Sequence, residues 1–529
     1  MADLVVVPML VAFGMVAVAL LLRGRWRLQR GATVAGTAVY AAAIGLLAYR
    51  TVFAPEATGA VAYQIGGWPA PYGITLVVDA LSAFMLSMTA VVALYAAAVS
   101  VFFIDPRNQQ VYYHPLFGFL LLGVTGAFLT GDLFNLFVWF EVMLMASYVF
   151  VAFYGNAQHT AAAARYVVLN VLGGVFMLLS VGGLYATVGT LNMADMAVTL
   201  AEPSAVDTAP VVGFSALILA TFGLKAGLVP FQFWVPSAYR AAPLPIAAML
   251  AGVTKKVGIY AIIRVYFTVF AGASLSAPFF GGDSPLVFLA PVLLVMAGAS
   301  VLVGGLGAVS QRHLDSLLAY SSIGQVGFIA APVAVAAATV SDSLRHLALV
   351  AALIYALHHA LTKSLLFFSA AVIRDMTGTT EIVDLGGLAE RSSTFAATFF
   401  VGGLSLIGVP PLVGFFGKFL VFEATIVRLA AVPTVATVGL LAVLLAGGFL
   451  TLVYSTRAWT ECFWGASTEA VDTGLLDRRL IGIVATLAAL VILVGVGFEP
   501  VYTFADAAAE AALDTEAYID AVDPGGDKA

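Results

Sequence analysis

The chain has 529 residues, of which 62% are hydrophobic and only 10% charged, with a formal net charge of −6 and a mean hydropathy of +1.04. Soluble domains carry roughly 25% charged residues, so this composition excludes a water-soluble globular protein and, with its net negative charge, gives no basic surface for nucleic acid. The one cysteine, Cys462, excludes an internal disulfide and an iron–sulfur cluster bound by this chain; with no P-loop and no G-x-G-x-x-G after a strand, no cofactor is expected, and any energy source must be an ion gradient or another subunit.

Apolar runs near twenty residues long recur along the chain, the length that crosses a hydrocarbon core ~30 Å thick. In lipid every backbone amide must be satisfied within its own element, so these runs predict helices. The fold class expected is an all-α integral membrane protein of about fourteen spans. The first three cover residues 3–22, 32–53 and 74–104, and the next five 114–130, 132–154, 161–189, 210–234 and 242–271. Five more cover 285–308, 313–338, 344–374, 394–423 and 434–463, and the last 480–498. Asp3 precedes the first run, basic residues follow it, and no small-residue cleavage site is present, so it reads as a retained helix. From Glu499 onward the acids Asp506, Glu510, Asp514, Glu516, Asp520, Asp523 and Asp527 read as a solvated, partly disordered tail.

Charge alternation orients the spans. The first loop carries Arg23, Arg25, Arg27 and Arg30, a cluster that the positive-inside rule places in the cytoplasm. Alternate loop regions then carry Arg107, Arg165, Arg240, Arg312, Arg374 with Arg391, and Arg457 with Arg478 and Arg479. The opposite loops carry Glu56, Asp195, Glu202, Asp207, Asp283 and Asp342, with Arg345 and Arg428 as misfits. The expectation is a multi-pass protein of the cell membrane with both termini outside.

Two spans are interrupted. The seventh contains Gly227, Pro230 and Pro236; the twelfth contains Gly408, Pro410, Pro411 and Gly414. Proline removes a helical hydrogen bond, and such a break is tolerated at membrane depth only against protein or a wet cavity. The breaks lie five spans apart, so units of five spans would place them correspondingly in opposite topology. Paired interrupted helices of this kind point to an inverted-repeat transporter and its ion site. The division expected is residues 1–110 for helices 1–3, 111–271 for a first repeat, 272–465 for a second, and 466–529 for the last helix and acidic tail.

Of six lysines, five (Lys225, Lys255, Lys256, Lys363 and Lys418) fall in predicted spans, and Lys528 lies at the end of the tail. A lysine at the bilayer centre costs at least ~2.5 kcal/mol on insertion scales. Unlike a guanidinium, an ammonium can release its proton when desolvated, so a chain of such groups can pass protons. Snorkelling at span ends is the competing reading and is strongest for Lys255. Glu141 follows an apolar stretch without a charge back to Asp132, and must be neutral or paired with a buried cation, for which Lys225 is the obvious partner. Asp132 reads as a cap. Tyr355, His359 and Lys363 at i, i+4 and i+8 share a helix face, with His358 pointing elsewhere, and histidine relays protons near neutral pH. Gln325, Ser321 and Ser322 are candidates to hold water in the path. His114, His159 and His313 stand at loop edges and read as solvated. No carboxylate or cysteine joins the histidines, so no metal is expected.

These segments resemble the antiporter-like family shared by complex I membrane subunits, membrane-bound hydrogenases and Mrp multisubunit cation/proton antiporters. The resemblance covers about residues 70–465. The stretch from Thr130 to Met143 resembles the family's fifth helix with its glutamate, and Phe222 to Pro236 its broken seventh helix with a lysine. Thr254 to Tyr260 resembles the eighth helix and favours Lys256 over Lys255 as its lysine; His358 to Phe367 resembles the eleventh, and Gly408 to Phe419 the broken twelfth. The resemblance implies fourteen helices in two inverted five-helix repeats, a proton half-channel in each, and a polar axis through Glu141, Lys225, Lys256, Lys363 and Lys418. The chain departs from many relatives in carrying Tyr355 and Gln325 where they carry histidines. The segment around Glu141 is most similar to the D-type branch of the Mrp antiporters. That implies a proton-translocating subunit of a sodium/proton antiporter, working with other membrane subunits; a proton-pumping subunit of complex I or a hydrogenase is the alternative.

Overall fold

A computed structural model describes residues 2–55, 57–105, 112–202, 206–273 and 285–524. Glu56, Arg107, Asp283, Asp527 and Lys528 lie outside the described residues. The chain starts with α1 (Ala2–Leu21) and α2 (Trp26–Phe53), then β1 (Val61–Gln64) pairs antiparallel with β2 (Thr75–Val78), Val61 opposite Val78 and Gln64 opposite Thr75. Next come α3 (Ala80–Phe103), α4 (Tyr113–Leu129), α5 (Leu133–Val151), α6 (Ala157–Val188) and the short α7 (Met193–Ala201). The middle holds α8 (Thr208–Ala226), α9 (Trp234–Ala241), α10 (Leu244–Val269), α11 (Pro285–Val309), α12 (Leu314–Ala338) and α13 (Asp342–Thr377). The last third holds α14 (Ser393–Ile407), α15 (Val413–Ala431), α16 (Val435–Cys462), α17 (Arg478–Val496), α18 (Phe498–Leu513) and α19 (Thr515–Val522).

Among the described residues twelve helices are long and apolar enough to cross a membrane, with α4 and α14 as shorter apolar helices. The chain is an all-α, multi-pass membrane protein. Side chains cap the helices where the sequence turns polar: Asp79 and Ser82 form a reciprocal capping box on α3, and Asp132 accepts from Asn135 N to open α5, the capping role expected of it. The apolar window of α10 is wholly buried and those of α12 and α13 are 94% buried, so these three helices form the centre of the bundle. They carry Lys255, Lys256, Gln325, His358, His359 and Lys363.

Two expectations are corrected, the opening of the third span and the form of the tail. The span predicted at 74–104 opens as a strand, because Asp79 caps the helix only from Ala80. The interruptions expected in the spans at 210–234 and 394–423 stand at Gly227 and Gly408, where α8 and α14 end; α9 begins only at Trp234, and α15 runs on to Ala431. The acidic tail is not a solvated coil up to residue 524. Its alanines fall at helical spacing, so α18 buries Ala505, Ala508, Ala509 and Ala512 while its acids take the other face. Phe504 packs edge-on against Phe53 and Phe84, and Thr268 Oγ1 donates to Ala512 O at 2.8 Å.

Candidate functional site

Each interruption is built the same way. Gly227 (φ 70°) and Gly408 (φ 94°) end their helices in the left-handed region that favours glycine, and a cis proline, Pro230 or Pro411, follows three residues later. Leu228 N donates to Gly223 O and Val409 N to Leu404 O, each at 3.0 Å, the same helix-ending bond in both places. At the first break Val229 N finds Ser300 Oγ at 2.9 Å, and the indole of Trp234 donates to Leu224 O at 3.0 Å, so the freed backbone groups are satisfied by protein. Pro410 stands on the other side of the second cis bond.

Lys225 lies in the last turn of α8, where the helix dipole favours a cation. Its Nζ is 4.0 Å from Glu141 Oε1 on α5 and 5.7 Å from the Phe140 ring centre. Neither Nζ nor Oε1 has a hydrogen-bond partner among the described residues. The lysine is buried and the glutamate half-buried. On α6, Gly174 makes room for the carboxylate: a Cβ there would stand 2.8 Å from Oε1.

Lys255 is fully buried, which corrects the snorkelling reading. Its ammonium lies against the first break, where a Cβ on Gly227 would stand 3.4 Å from Nζ, and it donates to Ser322 Oγ at 3.4 Å. Lys256 follows a π-turn at Leu250–Thr254 and donates to Ala251 O at 2.7 Å and to His359 Nδ1 at 2.5 Å. The other ring nitrogen of His359 is 3.3 Å from Ser322 Oγ. Lys255, Ser322, His359 and Lys256 thus form one continuous cluster across α10, α12 and α13.

The stripe of α13 faces α12 along its length. Lys363 donates to Leu318 O at 3.1 Å and to Ser321 Oγ, while Tyr355 OH donates to Gln325 Oε1 at 2.5 Å. Gln325 passes on to Tyr454 OH at 3.0 Å and Thr451 Oγ1 at 3.3 Å on α16. Lys418, on α15 just past the second break, donates to Ile407 O at 2.7 Å and stands 5.7 Å from the ring centre of Phe328, which stacks on Tyr355. Glu141–Lys225 and Lys418 therefore flank the central cluster as separate groups.

The structure gives further buried polar groups a place that the sequence left unassigned or placed differently. His358 points away from the stripe, as its spacing indicated, and reaches the second break: its Nδ1 lies 3.2 Å from Thr362 Oγ1 and 3.4 Å from Ser405 Oγ. Arg264 pairs with Asp79 at 2.5 Å, both buried. The signal was present, since Lys256, Tyr260, Arg264 and Thr268 recur every four residues along one face. Asp315, fully buried, holds Arg374 at 2.6 Å. His114 is buried against Thr33 Oγ1 at 2.9 Å, and so is not solvated as its place near a loop indicated.

A bundle of this kind, with five lysines buried among its spans and two of the spans interrupted, defines a multi-pass membrane protein with buried ammonium groups. Residues 130–446 match the family described as "NADH:quinone oxidoreductase/Mrp antiporter, TM", and the chain belongs to that family. It is 34% identical to the D-type subunit of the Na(+)/H(+) antiporter of Alkalihalophilus pseudofirmus over 99% of both chains. It is also 38% identical to the N-type subunit of the NADH-quinone oxidoreductase of Desulforudis audaxviator, over 67% of each. Among solved structures it is similar to a chain of the Mrp complex from Dietzia sp. DQ12-45-1b, with a TM-score of 0.80, 27% identity and 98% of each chain covered.

Proposed function

We propose that this chain is the proton-carrying subunit of a multisubunit Mrp-type cation/proton antiporter, exchanging protons for sodium across the cell membrane with both termini outside. The observation that carries this reading is the unbroken Lys255–Ser322–His359–Lys256 cluster at the wholly buried centre of the bundle, flanked by Glu141–Lys225 and by Lys418. A lysine amine accepts a proton and its ammonium releases one, and imidazole and hydroxyl groups do both, so a proton entering the cluster has a donor or acceptor at each step. The full-length likeness to a D-type antiporter subunit favours the antiporter over the redox-pump alternative, because the likeness to the N-type oxidoreductase subunit spans only two thirds of the chain.

In this reading each interrupted pair, α8 with α9 and α14 with α15, counts as one crossing, which gives fourteen. The matched breaks at Gly227 and Gly408 support two inverted repeats over residues 111–271 and 272–465. Glu141 and Lys225 form the switch of the first half. A cation arriving near Glu141 weakens the hold of the carboxylate on Lys225, whose proton then passes toward Lys255 and Lys256. Lys363, Gln325, Tyr355 and Lys418 conduct through the second half. In vesicles holding the whole complex, Glu141→Gln and Lys225→Ala each abolish cation-driven proton movement at normal protein levels; transport surviving both refutes the assignment.

A further inference from the structure

Away from the central line, a cavity of about 600 Å³ opens where α6, α9, α12 and α13 end together. Its wall carries three arginines, Arg165, Arg240 and Arg374, and two histidines, His159 and His313. Most of the surrounding membrane protein is apolar, so this density of basic side chains, three of them guanidinium groups, is unusual for it. Among the described residues the lining carries no acid; the fully buried Asp315 is committed to Arg374, which also donates to Thr380 Oγ1 at 3.3 Å. Arg165 and Arg240 make no ion pair among the described residues, and Arg240 donates instead to His313 Nε2 at 3.0 Å. A guanidinium that turns to an imidazole, in the absence of a carboxylate, leaves the cavity with uncancelled positive charge. His159 Nδ1 is buried there without a hydrogen-bond partner.

We infer that this cavity is a binding site for a phosphate-bearing anion. Planar guanidinium forks match phosphate oxygens bidentately, and a basic concavity between helix ends at the cytoplasmic side is the form that takes anionic headgroups. The three arginines and two histidines lie toward helix ends, where a spanning bundle meets headgroups, and the volume exceeds that of a bare phosphate. The same chemistry serves a phospholipid headgroup from the inner leaflet or a free phosphate from the cytosol. The inference stands on the cavity and its charges, takes its cytoplasmic placement from the proposed orientation, and does not depend on the transport reading.

The test uses the whole complex in phosphatidylcholine vesicles containing a trace of spin-labelled phosphatidylglycerol, with the immobilised lipid fraction read by electron paramagnetic resonance. The double variant Arg165→Gln/Arg240→Gln weakens this binding about thirtyfold, the combined effect of two basic residues at a membrane surface, whereas Arg165→Lys/Arg240→Lys keeps part of it. Binding lost in the glutamine variant and insensitive to added inorganic phosphate supports the site with a lipid headgroup as its ligand. Binding lost in the variant and displaced from wild type by inorganic phosphate supports it with free phosphate. Equal immobilisation in wild type and variant, together with equal phosphate binding by calorimetry, overturns it. Both arginines are exposed, and should the double variant fail to assemble, each single glutamine variant gives the same readout.

Discussion

The Nζ of Lys256 lies 2.5 Å from Nδ1 of His359, and this bond joins α10 to α13 at the middle of the bundle. If protons pass through it, both partners must be able to give one up. Lys256→Arg preserves charge and reach but replaces a group that can deprotonate with one that cannot. Proton movement in vesicles is expected to fall by about 100-fold or more, the scale of a lost proton-transfer group, with the complex assembled. Wild-type rates in Lys256→Arg would make the lysine a mere fixed charge.

Two glycines separate function from folding. A Cβ at Gly174 meets only the tip of the Glu141 side chain, at 2.8 Å, whereas one at Gly414 stands 2.7 Å from His358 and overlaps the carbonyl of Ser405. Gly174→Ala is expected to assemble normally and slow transport severalfold by moving the carboxylate; Gly414→Ala is expected to lower the amount of folded protein. Immunodetection of the complex beside vesicle transport distinguishes the two, and normal transport in Gly174→Ala would show that the placing of Glu141 is not critical.

The Asp79–Arg264 pair is buried on both sides. Removing one partner of such a pair strands a charge and costs about 3–5 kcal/mol. Asp79→Ala is therefore expected to lower the melting temperature of the purified complex markedly, and Asp79→Ala/Arg264→Met to recover most of the loss. Thermal unfolding of the three proteins followed by fluorescence decides it, and a double variant no better than the single one would contradict the argument.

The last helices are tied to the bundle by Phe504 and by the bonds around Thr268. Phe504→Ala removes two edge-on aromatic pairs worth about 0.5–1.5 kcal/mol each beyond their buried area. Faster proteolysis after residue 497 in the variant is the expected outcome, and an unchanged cleavage pattern would show that other contacts hold the segment.

Much of this was legible in the chain itself. Membrane residence followed from composition, and both breaks from Pro230, Pro410 and Pro411. The shared face of Tyr355, His359 and Lys363 followed from four-residue spacing. What stayed hidden depended on contact between distant segments. The partner of Arg264 is 185 residues away, and no local pattern marks Asp79 as more than a cap. Lys255 and Lys256 are adjacent in sequence, yet one turns to the first break and the other to His359, a difference set by the packing of α10 between its neighbours. The tail misled because its acids were counted while the spacing of its alanines was not.

Ser322 stands between two basic groups with a single hydrogen to give. While Lys256 holds its proton and points it at Nδ1, His359 carries hydrogen on Nε2, and the serine oxygen receives from both sides. In the proposed path, Lys256 would pass its proton to Nδ1 as the imidazole releases the one on Nε2 toward Ser322 and Lys255; Nε2 is then an acceptor, and the hydroxyl would turn to face it. In that path a rotating O–H at this one position would serve as a turnstile, the loading of one lysine being registered at the other through half a turn about a single bond.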